Sequence, residues 1–325
     1  MAYVKAITAY LPDNIKENPV DDRLTRKTGI YKRHVAIPGE CASDLAYCAA
    51  ENLFSKFSID RDTIDFIILC TQSPDYFLPT TACLLQQRLS LGKHCGAFDF
   101  NLGCSGYVYG LSIAKGLIET GQSKNVLLLT SETYSKYIGQ DDSATEPLFG
   151  DGASASVISG VDKREEGIYG FDFGTDGEGA ESLIVKTGAC RFPQTPDNAT
   201  LNPLYMNGGE ITQFALNVVP ANMANVLRKS DLTKEDIDYF VFHQANKFML
   251  NFLREKCELT GAPFWNNVEN YGNTVSTSIP LALSDLVLSH DIKKLKKVML
   301  IGFGVGLSWA GCVVDLSELT AGFHS

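Results

Sequence analysis

Ile59-Asp-Arg-Asp-Thr-Ile-Asp-Phe-Ile-Ile-Leu69 reads as a charged turn, an Ile-Asp pair and then an apolar run with the length of a buried strand. The same order returns at Leu232-Thr-Lys-Glu-Asp-Ile-Asp-Tyr-Phe-Val-Phe242, with Ile64 and Ile237 separated by 173 positions. A second pair, Asn125-Val-Leu-Leu-Leu-Thr130 and Lys297-Val-Met-Leu-Ile-Gly302, places Val126 and Val298 172 positions apart. Two strand-like matches at nearly one spacing predict a doubled chain, with similar halves at 1–165 and 166–325. Outward from these strands, helical and strand periodicities alternate. Helices are predicted over 44–57, 80–89, 105–119, 210–229, 246–256 and 276–289, and strands over 64–70, 96–101, 125–130, 237–242 and 297–302. That alternation predicts an α/β architecture of mainly parallel, helix-covered sheets. The stretches 139–150 and 187–208, rich in Pro, Asn, Thr and Gly, read as loops at or over a site.

At 325 residues, two domains or one doubled domain is the natural expectation. The 45% hydrophobic and 20% charged composition excludes disordered and collagen-like classes. The apolar run in Met1–Tyr10 is too short for a secretory signal, and no run of apolar residues is long enough to span a membrane. Nine cysteines without paired spacing read as reduced cytosolic thiols, which predicts a cytoplasmic protein. A formal charge of −10 argues against a nucleic-acid partner and requires a local basic patch wherever an acidic partner docks.

The repeat also bears on chemistry. Its offset sets Cys70 opposite His243 at equivalent strand ends. Cys104 precedes Val126 by 22 positions and Asn273 precedes Val298 by 25, so these two are near-equivalents. Packing of the halves about a pseudo-twofold would bring Cys104, His243 and Asn273 to one junction, at the carboxyl ends of the strands where ligands bind. Strand 96–101 runs into Leu102-Gly103-Cys104-Ser105-Gly106 and then an apolar helix, a strand–turn–helix that presents the cysteine as a nucleophile elbow would. The positive end of the helix dipole is expected to lower the thiol pKa, and the turn amide is available as an oxyanion donor. Blind, any one of nine cysteines is more often inert. Its glycine-flanked turn raises Cys104 above the others. His243 closes a buried strand before Gln-Ala-Asn246, where a core histidine is the plainer reading, and Asn273 in Gly-Asn-Thr reads by itself as a turn.

Taken in order, Tyr10-Leu-Pro, Thr28-Gly-Ile-Tyr-Lys-Arg33, Ala97-Phe-Asp, Gly103-Cys104-Ser-Gly, Phe149-Gly-Asp-Gly-Ala153, His243-Gln-Ala-Asn246, Gly272-Asn-Thr274 and Gly302-Phe-Gly-Val-Gly-Leu-Ser-Trp309 resemble the ketoacyl-acyl carrier protein synthase III family of the thiolase superfamily. The resemblance implies a five-layer αβαβα fold of two similar halves and a Cys-His-Asn triad at Cys104, His243 and Asn273. It further implies an oxyanion hole from the backbone of Cys104 and Val305, and a ping-pong decarboxylative condensation of a Cys-bound acyl group with a malonyl thioester. No cofactor is implied beyond coenzyme A or acyl carrier protein thioesters, and the assembly implied is a homodimer in which Leu78 reaches the partner's acyl pocket.

The chain departs from the family pattern around the entrance. Arg23 stands where the family has a tryptophan stacking on the coenzyme A adenine, Ser143 where it has the opposing arginine, Phe248 where it has a further arginine, and Gln213 where it has a docking lysine. Lys247, Arg254 and Lys256 are left as candidates for a basic face that meets an acidic carrier, with an ordinary solvated face as the plainer reading. Three other readings stay open at this point. They are an acyl-transfer enzyme of a secondary pathway with a different donor or acceptor, a noncatalytic partner subunit, and a cysteine hydrolase.

Overall fold

The computed structural model describes residues 1–139, 141–161, 167–195 and 204–319. Along the chain the first elements are β1 (Ala2–Tyr10), β2 (Ile15–Glu17), α1 (Arg23–Thr28), β3 (Lys32–His34), α2 (Ala42–Phe57), β4 (Phe66–Cys70), α3 (Thr81–Arg88), β5 (Gly96–Phe100), α4 (Gly106–Glu119), β6 (Asn125–Glu132) and β7 (Gly152–Gly160). There follow β8 (Ile168–Thr175), β9 (Leu183–Val185), β10 (Leu204–Met206), α5 (Gly208–Ser230), β11 (Tyr239–Phe242), α6 (Lys247–Lys256), α7 (Val268–Tyr271), α8 (Ser278–Ser289), β12 (Val298–Gly304) and β13 (Ser308–Val314).

Two sheets carry the architecture, ordered β1-β7-β6-β4-β5 and β8-β13-β12-β11. Phe66 pairs with Val126 in the first and Tyr239 with Val298 in the second, the same parallel register at the spacing of the sequence repeat. One strand in each, β7 or β13, runs against its neighbours. Among the described residues the second sheet has no full counterpart of β5, but a single parallel bridge from Phe240 to Phe264 lies where Ile67 meets Ala97 in the first.

Helices α2 and α3 cover the outer face of the first sheet, and α5, itself packed on α6, covers the outer face of the second. Between the sheets lie α4 and α8, each touching strands of both. The result is five layers. Helix α4 is covered along most of its length and is largely apolar, with Tyr107, Val108, Leu111 and Ala114 fully buried, while Lys115 and Glu119 pair with each other near its C-terminal end. Each such large side chain stabilises the fold by about 1.5–3 kcal/mol relative to exposure. Asp99 at the end of β5 accepts from the Thr81 and Ala82 amides at 2.6 and 2.7 Å, so the strand caps α3 across the layer.

The strands β1, β7, β8 and β13 lie outside the predicted set. β7 is Gly-Ala-Ser-Ala-Ser-Val-Ile-Ser-Gly, whose small residues carry little strand propensity but let α2 and α4 approach on both faces. The predicted loop 139–150 contains a short helical turn at Glu146–Leu148. The loop predicted over 187–208 includes β10, and its residues 196–203 lie outside the described residues, as does the boundary expected at 165/166. Among the described residues no helix is long and apolar enough to cross a membrane.

Candidate active site

Strand β5 delivers the chain to a turn closed by the Gly106 amide on the Gly103 carbonyl at 2.7 Å, and α4 departs from it. Cys104 sits in this turn, held against β12. A side chain at Gly304 would lie 2.8 Å from the Cys104 sulfur, and one at Gly302 would meet the Cys104 carbonyl at 2.7 Å, so β12 must present bare backbone here. Backbone amides of Cys104 and Val305 both point at the sulfur. This is the donor pair that acyl chemistry needs at a developing oxyanion.

The thiol itself departs from expectation. Burial, with the Glu132 charge behind it, pushes Cys104 up to about 12, against the lowering by the two amides. The helix dipole was expected to favour thiolate; desolvation of a buried sulfur outweighs it, and the resting group is the neutral thiol.

His243 follows β11, its amide bonded to the Ile301 carbonyl at 2.8 Å and its ring edge-on to Phe303. Burial holds its imidazole down at about 3, so it is neutral. Nδ1 pairs with the Ser278 hydroxyl at 2.6 Å, at the start of α8. When Ser278 donates, Nε2 carries the proton and is a hydrogen-bond donor. Gln244, read with His243 as part of one polar motif, is a brace instead: its amide donates to the Phe242 carbonyl and accepts from Asn267. Asn246 caps α6 through the Met249 amide.

Asn273 is anchored by its backbone, amide to Leu148 and carbonyl to Gly150. Its Oδ1 accepts from the Val275 amide at 2.9 Å, which leaves the side-chain NH2 as donor. Val275 has φ +53°, a conformation that costs a β-branched residue about 1–3 kcal/mol and clusters at functional sites.

Cys104, His243, Asn273 and Val305 line a single cavity of about 110 Å³. Among the described residues no lining residue is charged; Leu148, Phe149, Leu183, Met206 and Ile211 form part of the apolar wall, so both predicted loop stretches contribute to it. Leu78 does not line this cavity and is 82% exposed. Lys247 and Lys256 are exposed at opposite ends of α6, whereas Arg254 donates to the Leu259 and Ala262 carbonyls and holds that loop. Arg23 and Ser143 are exposed, and Phe248 packs at a tilt on Phe252 with the Lys27 ammonium 4.7 Å from its ring.

Sequence reasoning missed Ser278, Gln72, Tyr134 and Glu132. Glu132, the last residue of β6, is fully buried and pushed up to about 8 by burial, accepting from Ser276, Ser73 and the Gln72 amide. An acidic residue ending an apolar strand was the available signal. Cys70, set opposite His243 by the repeat, is buried and donates to the Leu102 carbonyl.

Residues 98–177 match the family profile for 3-oxoacyl-[acyl-carrier-protein] synthase III, and residues 227–316 match the profile for its C-terminal part. The beta-ketoacyl-[acyl-carrier-protein] synthase III of Caldanaerobacter subterraneus subsp. tengcongensis is 36% identical over 320 residues, which covers 95% of this chain and 96% of that protein. A crystal structure of a 3-oxoacyl-(acyl-carrier-protein) synthase III superposes with TM-score 0.92 at 46% identity, covering 97% of this chain and 99% of the other. The Thermus thermophilus beta-ketoacyl-[acyl-carrier-protein] synthase III structure superposes with TM-score 0.87 at 37% identity, covering 96% and 98%.

Proposed function

As the chain belongs to the 3-oxoacyl-[acyl-carrier-protein] synthase III family of the thiolase superfamily and is a condensing acyltransferase of fatty acid biosynthesis, we propose that Cys104, His243 and Asn273 carry its reaction. The observation that carries the reading is the convergence of two backbone amides on one buried thiol in an uncharged cavity that His243 and Asn273 also line.

In the first half-reaction the Cys104 sulfur adds to the carbonyl of an acyl thioester, and the oxyanion accepts from the Cys104 and Val305 amides. Collapse forms the acyl-enzyme, and the departing thiol leaves with the proton the cysteine gave up. In the second, a malonyl thioester loses carbon dioxide. The electron pair of the broken bond becomes an enolate, whose oxygen accepts from His243 Nε2–H and the Asn273 amide. The enolate carbon attacks acyl-Cys104, forms the carbon–carbon bond of a 3-oxoacyl thioester and expels the sulfur as thiolate, which takes one proton from solvent, the proton the net reaction consumes. Neutral donors suit this step, because a carboxylate in the wall would repel the enolate.

The proposal extends to partners and assembly. Malonyl groups arrive on an acyl carrier protein and primers as coenzyme A or carrier thioesters, with Lys247, packed against Gly29 beside Lys27, as the basic face for an acidic carrier and Lys256 as a separate exposed cation at the far end of α6. Arg254 is better read as a loop brace. The two halves divide at 165/166. A homodimer in the cytoplasm is part of the proposal; the dimer is supported by the outer edge of β5, which pairs with no further strand among the described residues, and by Phe77 and Leu78 in the β4–α3 loop, 81% and 82% exposed.

Intact-mass measurement after incubation with a panel of acyl thioesters tests the reading. The expected adduct is lost in Cys104→Ala, and carbon dioxide release from malonyl-carrier collapses in His243→Ala and Asn273→Ala. Absence of an adduct with every thioester, or unchanged decarboxylation in both variants, would overturn it.

A further inference from the structure

The cavity wall contains one polar group that the reaction above does not use. Gln72 follows β4 by two residues and lines the cavity beside Cys104. Its main chain is held from two sides: the amide donates to the Glu132 carboxyl at 3.1 Å, and the carbonyl accepts from the Tyr137 hydroxyl at 3.0 Å. Its side-chain amide donates to Asn101 Oδ1 at 3.1 Å. Its Oε1 is buried and has no hydrogen-bond partner among the described residues. Among the described residues, it is the only such orphaned side-chain atom that belongs to a residue of the cavity wall.

The position of this atom is as specific as its lack of a partner. A Cβ at Gly103 would lie 2.6 Å from Gln72 Oε1 and 2.7 Å from the Val305 side chain. The orphaned oxygen therefore sits against the nucleophile turn and beside the residue whose amide faces the sulfur. Tyr134, buried and packed on Phe149, lines the same cavity. A buried polar group left unpaired is costly, and a site holding one rejects a ligand that cannot pair with it.

We propose that Gln72 selects an acyl primer carrying a hydroxyl group within a few bonds of its thioester carbonyl, in preference to the plain alkyl chain of the same length. A hydroxyl both donates and accepts, so it satisfies the glutamine amide in either orientation, with Asn101 free at the surface to turn with it. An alkyl primer would leave Gln72 Oε1 unpaired. The inference rests on Cys104 being the acyl acceptor.

The experiment is a competition. The protein is incubated with butyryl-coenzyme A mixed in turn with the 2-, 3- or 4-hydroxybutyryl thioester, and the acyl-enzymes, which differ by one oxygen, are resolved by intact mass. The wild type is expected to favour at least one hydroxyacyl group by about 10-fold or more, and Gln72→Leu to reverse that ratio while still acylating at Cys104. Gln72→Met serves the same purpose if the leucine variant does not fold. Butyryl matching or exceeding all three hydroxyacyl groups in the wild type would overturn the inference and leave the acyl-enzyme reading standing. A hydroxyacyl preference that survives loss of the glutamine would overturn the role of Gln72. No adduct from any of the four would overturn the acyl-enzyme reading and this inference with it.

Discussion

Glu132 shows how a residue outside the reacting set enters its energetics. Its carboxyl has a folded-state pKa of about 8, raised by burial from the ordinary 4.5. The folded protein therefore holds a proton on it that the unfolded chain has released, and the stability it contributes at low pH is lost as pH rises towards 8. His243 works in the opposite sense, being depressed to about 3, so its contribution is present above pH 6.5 and lost as pH falls. Above pH 6.5 the Glu132 effect stands alone of the two. Between about pH 6.5 and 8 its share of unfolding free energy should fall by up to about 1.4 kcal/mol per pH unit. Chemical denaturation across that range should show a flatter profile in Glu132→Gln; identical slopes would dismiss the buried-acid account. Ser278 acts through His243 alone. In Ser278→Ala the imidazole loses its tautomer partner, and malonyl decarboxylation is expected to drop by about 10-fold to 100-fold, while Ser278→Thr restores most of it.

Among elements, the pairing of the α4 turn with β12 matters most. The turn donates the cysteine and one amide, and β12 donates the other amide from the residue just beyond its end. Gly304→Ala introduces a Cβ 2.8 Å from the sulfur on a strand otherwise buried in the sheet, so sulfur or strand must move. Acylation should fall by about 100-fold or more, with the far-ultraviolet circular dichroism unchanged, because a displaced oxyanion donor alone has that scale. Most helices and parallel strands were legible from apolar periodicity to within a few residues; α8 differs in that Val275–Thr277 forms a separate 3-10 turn. β7 and β13 were not legible, since each is built for close packing by small residues or begins in a glycine turn, and neither alternates cleanly.

At the scale of the whole molecule, the two sheets clamp α4 and α8, so the cavity forms only when both halves are in place. The exposed Phe77 and Leu78 belong to a further level, the proposed dimer. The double variant Phe77→Glu with Leu78→Glu is expected to shift the protein to monomer in light scattering after size exclusion. A protein that is already monomeric, or a dimer indifferent to both charges, would remove this face from the interface. Substituting Leu78 alone with Phe or Ala should shift acyl chain-length preference if it reaches the partner's pocket, measured by adduct ratios across a thioester series.

The amino-acid order by itself determined the repeat, the α/β alternation and the candidate Cys104, His243 and Asn273. Apolar period and spacing are local properties, and an elbow turn is written in five consecutive residues. Tertiary structure alone decided the electrostatics. The same turn that exposes a cysteine to a helix dipole also buries it, and only the packed layers say which effect wins: the thiol is driven up to about 12. It also decided the partners that no spacing encodes, Ser278 on His243, 35 positions away, and Glu132 on Ser276, 144 positions away. Such contacts depend on where two sheets place side chains from distant segments, and a linear pattern carries no term for that distance.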